Sequence, residues 1–247
     1  MYSWKAIRIT STILLLLPIV HLAYLLSRDT LETLDNSPAS WAREVDAYAA
    51  ADTGSHLPSS PLVVVGGLRV KLWPGLAELL TPQPVLMRGL GDAIVEDLSF
   101  NYTRLIGFYQ PATVVLLPGN SEFHIRAQKS PQELVTTIRE LVALDATFGI
   151  TQHFYVFPPV KTLLYPQDYP TIDEVTQLLH SWAKSDKRVV ILDANPLLAG
   201  RNGTPQGMYF RGDGVNLNEH GYLRLSEVLR TQVSADAVTV QEHTSAP

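Results

Sequence analysis

The chain has 247 residues, 46% of them hydrophobic, which is enough for one large domain with a full core and a short additional segment. Its 19 basic and 24 acidic residues give a net charge of −5 and are spread along the chain, so nothing indicates a nucleic-acid partner. The chain has no cysteine, which excludes disulfides, thiolate metal sites and cysteine nucleophiles.

An apolar segment lies near the N-terminus. The stretch between Arg8 and Arg28 contains no Asp, Glu, Lys or Arg and is just long enough to span a bilayer's hydrocarbon core. Because Lys5 and Arg8 precede it, the positive-inside rule leaves the N-terminus in the cytoplasm and exports the rest of the chain. We therefore predict one N-terminal transmembrane helix, an uncleaved signal anchor over residues 1–28, with membrane contact through residues 9–27. A cleaved signal peptide is the alternative, but no clean A-x-A site follows the segment.

A polar segment, residues 29–60, follows the predicted anchor and is interpreted as a linker with one amphipathic helix. The helix is predicted over residues 37–52, with Ser40 as its N-cap. Its apolar positions recur at helical spacing and are expected to make core contacts: Trp41, Val45 and Tyr48.

Strand-like and helix-like segments then alternate along residues 61–233. The strand candidates are the apolar runs PLVVVGG, PVLMRG, ATVVLLPG, ITQHFYVFPP and RVVILDA. Helices are predicted near residues 74–81, 92–108, 130–148 and 171–185, with a last helix from Glu219 to about Thr231. This alternation predicts an α/β three-layer sandwich of the flavodoxin-like type, with a five-stranded parallel sheet and a ligand site at the carboxyl ends of its strands. Residues 234–247 are predicted to form a flexible tail.

Four sequence blocks follow these strands or precede the last helix: GGLRVKLW, MRGLGDA, PGNSEFH and RGDGVNLNEHGY. In this order they resemble the SGNH/GDSL hydrolases, a family of small α/β esterases and lipases. The resemblance is closest to bacterial members with the motifs GSSSIRxW, NRGFGGS and DGxHLNxxGY, and it covers roughly residues 41–230. An upstream helix motif of the family is matched by Trp41, Glu44, Tyr48 and Asp52. The resemblance implies an SGNH-hydrolase-like fold.

The resemblance also implies where a catalytic triad would lie. In this family a serine attacks the ester, a histidine takes its proton and an aspartate orients the histidine. Trp73 matches the family tryptophan five residues after the nucleophile, which places Leu68 at the serine position. Asp213 matches the aspartate, and Asn216 stands at the histidine position. Because Leu68 has no nucleophilic atom and an amide is no base near neutral pH, we predict a degenerate site, that is, a pseudo-hydrolase.

The oxyanion positions also depart from the family pattern. An ungapped alignment places Asp92 where a glycine would supply a backbone N–H, and a carboxylate there repels an oxyanion. The asparagine of the family corresponds to Asn120 or to Ser121, depending on whether Pro118 or Gly119 is paired with the preceding glycine. Both alignments stay open.

Displaced residues offer an alternative catalytic set. Ser121 with His124 or with His220 would form a relocated pair, although His220 is also expected at the surface, in the first turn of a helix whose N-cap is Asn218. A structural role is expected for Asp213, as a brace of its loop through Asn216. Three nearby side chains have the chemistry of metal ligands, namely Asp92, Glu122 and His124. Their spacing matches no known ligand set, so the sequence indicates no metal and no cofactor.

Three function classes follow from these observations. The first is a membrane-anchored extracytoplasmic SGNH-like domain that binds a glycan, an acyl group or a protein partner without ordinary ester hydrolysis. The second is an active ester hydrolase or O-acyl transferase that uses displaced residues. The third is a structural subunit of an envelope polysaccharide assembly. The predicted location is the bacterial inner membrane, single-pass, with the globular domain in the periplasm or extracytoplasmic space and an envelope protein as a candidate partner.

Overall fold

The computed structural model describes residues 4–5, 8, 12–22, 37–124 and 126–244. The chain divides into two compact units, Met1–Ser40 and Trp41–Pro247. In the first unit residues 12–22 are helical. Within the described part of the chain, no helix combines the length and the apolar character that crossing a membrane requires. The predicted span also includes residues 9–11 and 23–27, which lie outside the described residues.

The second unit contains a five-stranded parallel sheet. Its strands are β1 (Leu62–Gly66), β2 (Val85–Gly89), β3 (Thr113–Leu117), β4 (His153–Val156) and β5 (Val189–Ile191). They are arranged in the order β2-β1-β3-β4-β5, and every neighbouring pair is parallel. The predicted five-stranded parallel sheet is thus confirmed, with each strand inside one of the five apolar runs.

Both faces of the sheet are buried, which explains why its strands lack polar alternation. In β1 the side chains of Val63 and Val65 join one apolar cluster, while those of Leu62 and Val64 join another. Successive side chains of a strand point to opposite faces, so the two clusters lie on opposite sides of the sheet. The result is the predicted three-layer sandwich.

Helices connect the strands and cover both faces. The α-helices are α1 (Ala42–Thr53), α2 (Leu68–Lys71), α3 (Leu76–Leu79), α4 (Val95–Phe100), α5 (Tyr102–Leu105), α6 (Pro131–Phe148), α7 (Tyr169–Ala183), α8 (Asn195–Leu198) and α9 (Glu219–Thr244). Short 3-10 turns cover Pro38–Trp41, Gly107–Tyr109, Asn120–Glu122, Pro166–Asp168 and Gly207–Tyr209. The long predicted helices are present, and the stretch predicted near residues 92–108 is divided into α4, α5 and a 3-10 turn.

The ends of two helices differ from the prediction. Ser40 is not the N-cap of α1: it lies in the preceding 3-10 turn, where its hydroxyl donates to the Ser37 carbonyl, and Trp41 occupies the cap position. Helix α9 extends past the predicted end at Thr231 to Thr244, so residues 234–244 of the predicted tail are helical. Asp236 holds this extension against the sheet, because its carboxylate accepts a hydrogen bond from the Tyr155 hydroxyl of β4.

Candidate functional site

A cavity of about 270 Å³ lies at the carboxyl ends of the strands. Its walls come from the turn after β1 (residues 67–69), the loops after β2, β3 and β4, and the loop before α9. All six family positions singled out in the sequence line it: Leu68, Asp92, Asn120, Ser121, Asp213 and Asn216. The structure therefore gathers these residues at one end of the sheet, while their roles remain predictions.

The turn after β1 places Leu68 at the cavity wall. Gly66 ends the strand so close to β3 that an added Cβ would lie 2.3 Å from the Leu117 carbonyl oxygen, so only glycine fits there. Gly67 is extended and precedes α2, whose first residue is Leu68. The sharp strand-to-helix turn that would present a nucleophile is thus present, with an isobutyl side chain in its place.

Trp73 and Tyr222, two family-typical aromatic residues, hold this turn against α9. The Tyr222 hydroxyl donates to the Arg69 carbonyl at 2.9 Å, and the Trp73 indole N–H donates to the Ser226 hydroxyl at 2.9 Å. The two rings are stacked with their centroids 6.0 Å apart. The turn is therefore fixed by buried contacts that do not depend on a serine at position 68.

Helix α1 shapes the loop after β2 through two of its motif residues. The Trp41 ring packs so closely on Gly91 that an added Cβ there would lie 2.7 Å from a ring carbon. The Glu44 carboxylate accepts a hydrogen bond from the Gly91 N–H at 3.3 Å and forms an ion pair with Lys71 at 2.9 Å. The loop that presents Asp92 to the cavity is thereby tied to both α1 and α2.

The other two motif residues of α1 anchor the end of β2. The Tyr48 hydroxyl donates to the Gly89 carbonyl at 2.7 Å. Asp52 accepts two hydrogen bonds from Arg88 Nη2, at 2.8 and 3.1 Å, and another from the Tyr109 hydroxyl. All four motif residues of this helix therefore contact the block MRGLGDA, which accounts for their spacing on one helix face.

Asp213 braces the loop before α9, as the sequence predicted. Its Oδ1 accepts hydrogen bonds from the Val215 and Asn216 N–H groups, both at 2.8 Å, and its Oδ2 accepts one from Asn216 Nδ2 at 2.8 Å. Desolvation acts to raise the pKa of Asp213, but these hydrogen bonds and the charge of Arg211 outweigh it and lower the pKa. The carboxylate is thus fully engaged with the residue at the family histidine position.

Asn218 is the N-cap of α9, which confirms the prediction. Its Oδ1 accepts a hydrogen bond from the Gly221 N–H at 3.1 Å. Its Nδ2 donates to the Met208 and Phe210 carbonyls at 2.8 and 3.1 Å. His220 follows in the first helical turn, exposed and outside the residues that line the cavity. The proposed pairing of Ser121 with His220 therefore does not share this cavity.

Asn120 and Ser121 both line the cavity, in the 3-10 turn after β3. Asn120 Nδ2 donates to the Thr162 hydroxyl at 3.4 Å, and its Oδ1 accepts from Arg69 Nη2 at 3.5 Å. Ser121 is buried, and its hydroxyl makes no hydrogen bond among the described residues. Both assignments of the oxyanion position thus stay open.

His124 also lines the cavity and belongs to a pair that the sequence did not reveal. Its Nε2 lies 2.7 Å from Asp168 Oδ2, and its ring stacks on Tyr165 with centroids 4.1 Å apart. Tyr165 and Asp168 lie in the long segment after β4. The sequence could have indicated that these two residues lie near the cavity, because segments that follow parallel strands lie at the same edge of the sheet.

Solved structures of similar architecture include proteins named as a lipase and an acylhydrolase. Comparison with protein-family models finds no match, and comparison with curated proteins finds none. Among solved structures, a Streptococcus pneumonia protein assigned as a platelet activating factor matches with a TM-score of 0.68 and 16% identity, over 83% of this chain and 98% of that one. A GDSL-like lipase from Bacteroides thetaiotaomicron matches with a TM-score of 0.62 and 15% identity, over 78% of this chain and 98% of the lipase.

A Bacteroides fragilis protein assigned as an acylhydrolase matches with a TM-score of 0.65 and 17% identity, over 76% of this chain and 95% of that one. The chain has an SGNH/GDSL-hydrolase-like fold. At these identities the likeness concerns the fold alone, because one fold hosts many functions.

Within this SGNH-like fold, Arg69 is a charged cavity residue whose hydrogen-bonding groups are only partly satisfied among the described residues. It directly follows Leu68 and is buried, yet its Nε and Nη1 make no hydrogen bond. Its Nη2 makes two long contacts, to the Val215 carbonyl at 3.3 Å and to Asn120. Desolvation by burial lowers the pKa of its guanidinium.

The three side chains weighed as metal ligands do not form a cluster. Glu122 is buried and accepts hydrogen bonds from Lys129 Nζ at 2.6 Å and from the Val95 N–H at 2.9 Å, while His124 pairs with Asp168. In the part of the chain that the structure describes, no group of three His, Asp or Glu side chains is arranged to hold a metal ion.

Proposed function

We propose that this chain is a membrane-anchored, extracytoplasmic protein whose SGNH-like cavity binds a small ligand without triad-based ester hydrolysis. The observation that supports this most directly is the pair Leu68 and Asn216. Both line the cavity, and the sequence alignment assigns them to the family's nucleophile and base positions. Nucleophile and base act as a unit in a triad, so the loss of either removes nearly all of its catalysis.

The remaining polar groups support binding over hydrolysis. Asp213, which would orient a histidine, is engaged by Asn216 and the loop backbone. Asp92 brings a carboxylate to the cavity, where a developing oxyanion would be repelled. The cavity nevertheless stays open and keeps polar and aromatic walls, which favours a ligand site over a purely structural subunit.

The anchor is proposed from the N-terminal segment. Residues 12–22 are helical and expose a run of large apolar side chains, which suits contact with lipid. Lys5 and Arg8 precede this run, so the positive-inside rule directs the globular unit out of the cytoplasm. A reporter enzyme that is active only after export, fused after Pro247, tests the orientation. Activity of a reporter that works only in the cytoplasm would overturn both the orientation and the location.

A second candidate function is a hydrolase or acyl transferase with a relocated site, and the His124–Asp168 hydrogen bond favours it. An aspartate that holds one ring nitrogen orients the other for proton transfer. Because Asp168 is hydrogen-bonded to Nε2 of His124, the Nδ1 of His124 would act as the base and Ser121 as the nucleophile. Against this, Ser121 is buried and makes no hydrogen bond to His124.

Acetyl-ester turnover by the full-length protein in detergent separates the two candidates. We expect turnover far below about 1 s⁻¹, the low end of ordinary enzyme rates. Ser121→Ala and His124→Ala should leave the residual rate unchanged, and His220→Ala is the matched control outside the cavity. A rate of about 1 s⁻¹ or more that both cavity variants abolish, while the control retains it, would replace our proposal with the relocated site.

Restoring the family residues provides the reciprocal test. Leu68→Ser alone lacks a base and Asn216→His alone lacks a hydroxyl, so neither should raise the rate. The double variant should show weak hydrolysis, and adding Asp92→Gly should raise it further, because a repulsive carboxylate leaves the oxyanion region. Equal rates in the single and double variants would show that Leu68 and Asn216 do not occupy the nucleophile and base positions.

A further inference from the structure

The guanidinium of Arg69 lies at the wall of the cavity. Its Nη2 contacts Asn120 and the Val215 carbonyl, and both of these residues line the cavity. Arg69 itself lines the cavity and is 6% exposed. A positive charge is therefore held beside the ligand space and almost out of contact with solvent.

This charge has no counter-ion in the described part of the chain. Arg69 forms no ion pair there, and two of its three nitrogens make no hydrogen bond. Arginine stays protonated in proteins, so the charge cannot be removed by releasing a proton. Burial of an unpaired ion is unfavourable, and buried charges in proteins are normally paired or coordinated.

The carboxylates around the cavity do not compensate this charge. Asp213 is engaged with the backbone and side chain of its own loop, and Asp168 pairs with His124. Asp92 is exposed and makes no ion pair among the described residues. Among its described residues, the cavity thus has an unpaired cation, Arg69, at its wall and an exposed carboxylate, Asp92, without an ion-pair partner.

We propose that the cavity binds a small hydroxylated molecule through an oxyanion, a carboxylate or a phosphate, that pairs with Arg69. This inference rests on the proposed function and names the chemical class of its ligand. The fork of guanidinium N–H groups suits planar and tetrahedral oxyanions. In this binding mode the oxyanion faces Arg69 and not Asp92, whose carboxylate would repel it and instead offers an acceptor for a ligand hydroxyl. The volume of about 270 Å³ is at the small end for ligand sites, which suits a group of monosaccharide size.

Thermal unfolding of the full-length protein in detergent, at constant ionic strength, tests this proposal. The probes are glucuronate for the carboxylate, glucose 6-phosphate and inorganic phosphate for the phosphate, and glucose as the neutral analogue. We expect glucuronate or glucose 6-phosphate to raise the Tm saturably by roughly several degrees, because a ligand that binds only the folded state stabilises it. Glucose should give no shift. Comparison of the shifts with glucuronate and with glucose 6-phosphate identifies whether a carboxylate or a phosphate is preferred. Inorganic phosphate shows whether the anion alone is sufficient for binding.

Variants of Arg69 make the test specific. Arg69→Met keeps the length of the side chain and removes its charge, so the ligand-induced shift should vanish. Its ligand-free Tm should equal or exceed that of the wild type, because an unpaired buried charge is removed. Arg69→Lys keeps the charge but loses the fork, and should weaken binding by about tenfold or more. Arg201→Met, in an exposed loop outside the cavity, should behave as the wild type.

Each alternative outcome has a defined meaning. The proposal is overturned if no anion shifts the wild-type Tm, or if Arg69→Met and Arg69→Lys retain the full shift. A ligand-free Tm of Arg69→Met well below the wild type, together with unchanged binding in Arg69→Lys, assigns Arg69 a structural role and also overturns it. The ester assay is independent of these results: hydrolysis that requires Ser121 and His124 refutes the proposed function, whereas binding of glucose alone refutes only the oxyanion.

Discussion

Arg69 and Arg88 have the same exposed fraction, 6%, but opposite surroundings. Arg88, at the end of β2, donates two hydrogen bonds to Asp52, one to the Tyr109 hydroxyl at 2.9 Å and one to the Met87 carbonyl at 3.0 Å. Its guanidinium also lies over the Tyr109 ring, 4.5 Å from the centroid. Among the described residues, Arg69, in the turn after β1, has no carboxylate partner, and two of its nitrogens make no hydrogen bond.

The difference shows how a structural cation and a binding cation can be told apart. All three guanidinium nitrogens of Arg88 make hydrogen bonds within the fold, and its ion pair with Asp52 attaches α1 to the sheet. Around Arg69, within the described part of the chain, the fold supplies too few acceptors, and this residue lines the cavity. Burial alone does not distinguish the two residues, whereas the count of satisfied N–H groups does.

Removal of Arg88 should have the largest effect on stability. We expect Arg88→Met to lower the free energy of unfolding by about 3–5 kcal/mol, because Asp52 would keep a mostly buried charge without its cation. Equilibrium urea unfolding, followed by tryptophan fluorescence, measures the change. Arg104→Met is the matched control, since its ion pair with Asp46 is exposed and should contribute less than about 1 kcal/mol. Equal losses in the two variants would contradict the structural role of Arg88.

Glu122, a buried carboxylate paired with Lys129, extends the comparison to a buried acid, because its ionisation makes the free energy of unfolding depend on pH. Glu122 is fully buried, and burial raises its pKa to about 7, although Lys129 acts in the opposite direction and Glu96 nearby adds to the rise. A pKa raised in the folded state means that the folded protein binds the proton more tightly. Its stabilising effect is therefore complete below about pH 4.5 and is lost as the pH rises to about 7.

The expected loss for Glu122 between pH 4.5 and 7 is on the order of 2–3 kcal/mol. Urea unfolding of the wild type and of Glu122→Gln across this range measures it, because the variant cannot titrate at this position. Glu78→Gln is the control: it removes an exposed carboxylate on α3, away from Glu122 and Lys129, and should keep the wild-type slope. Parallel curves for the wild type and Glu122→Gln would show that Glu122 is ionised throughout the range.

Local sequence patterns were sufficient to predict the sheet. Its strands are runs of Val, Leu and Ile that need burial on both faces, and helices separate them, so a parallel sheet follows from the chain order. Since the carboxyl ends of parallel strands meet at one edge, the gathering of Leu68, Ser121 and Asn216 was predictable too. Helix ends were less predictable, because α9 is extended by Asp236, whose partner Tyr155 is distant in sequence.

The unpredicted part of the site depends on tertiary contacts. His124 was named as a candidate base, but its partner Asp168 is 44 residues away and has no motif. Arg69 stands beside the nucleophile position, yet its significance lies in the absence of partners around a buried side chain. Neither the His124–Asp168 pair nor the lack of partners around Arg69 can be deduced from motif spacing or composition. The membrane anchor and the extracytoplasmic location stay predictions.

Of the substitutions considered, those of Asn218 should have the smallest effect on the free energy of unfolding. They test how much one fully hydrogen-bonded polar side chain contributes. Asn218→Ala should lower the free energy of unfolding by about 1 kcal/mol, because the Gly221 N–H at the start of α9 loses its acceptor. Urea unfolding measures this change. Asn218→Asp is the matched variant: it keeps the capping acceptor but cannot donate to the Met208 and Phe210 carbonyls. If the cap contributes, the Asp variant should be more stable than the Ala variant. Equal losses in both would assign the whole effect to the two donated hydrogen bonds, and the Asn218 side chain would then stabilise the loop rather than the helix.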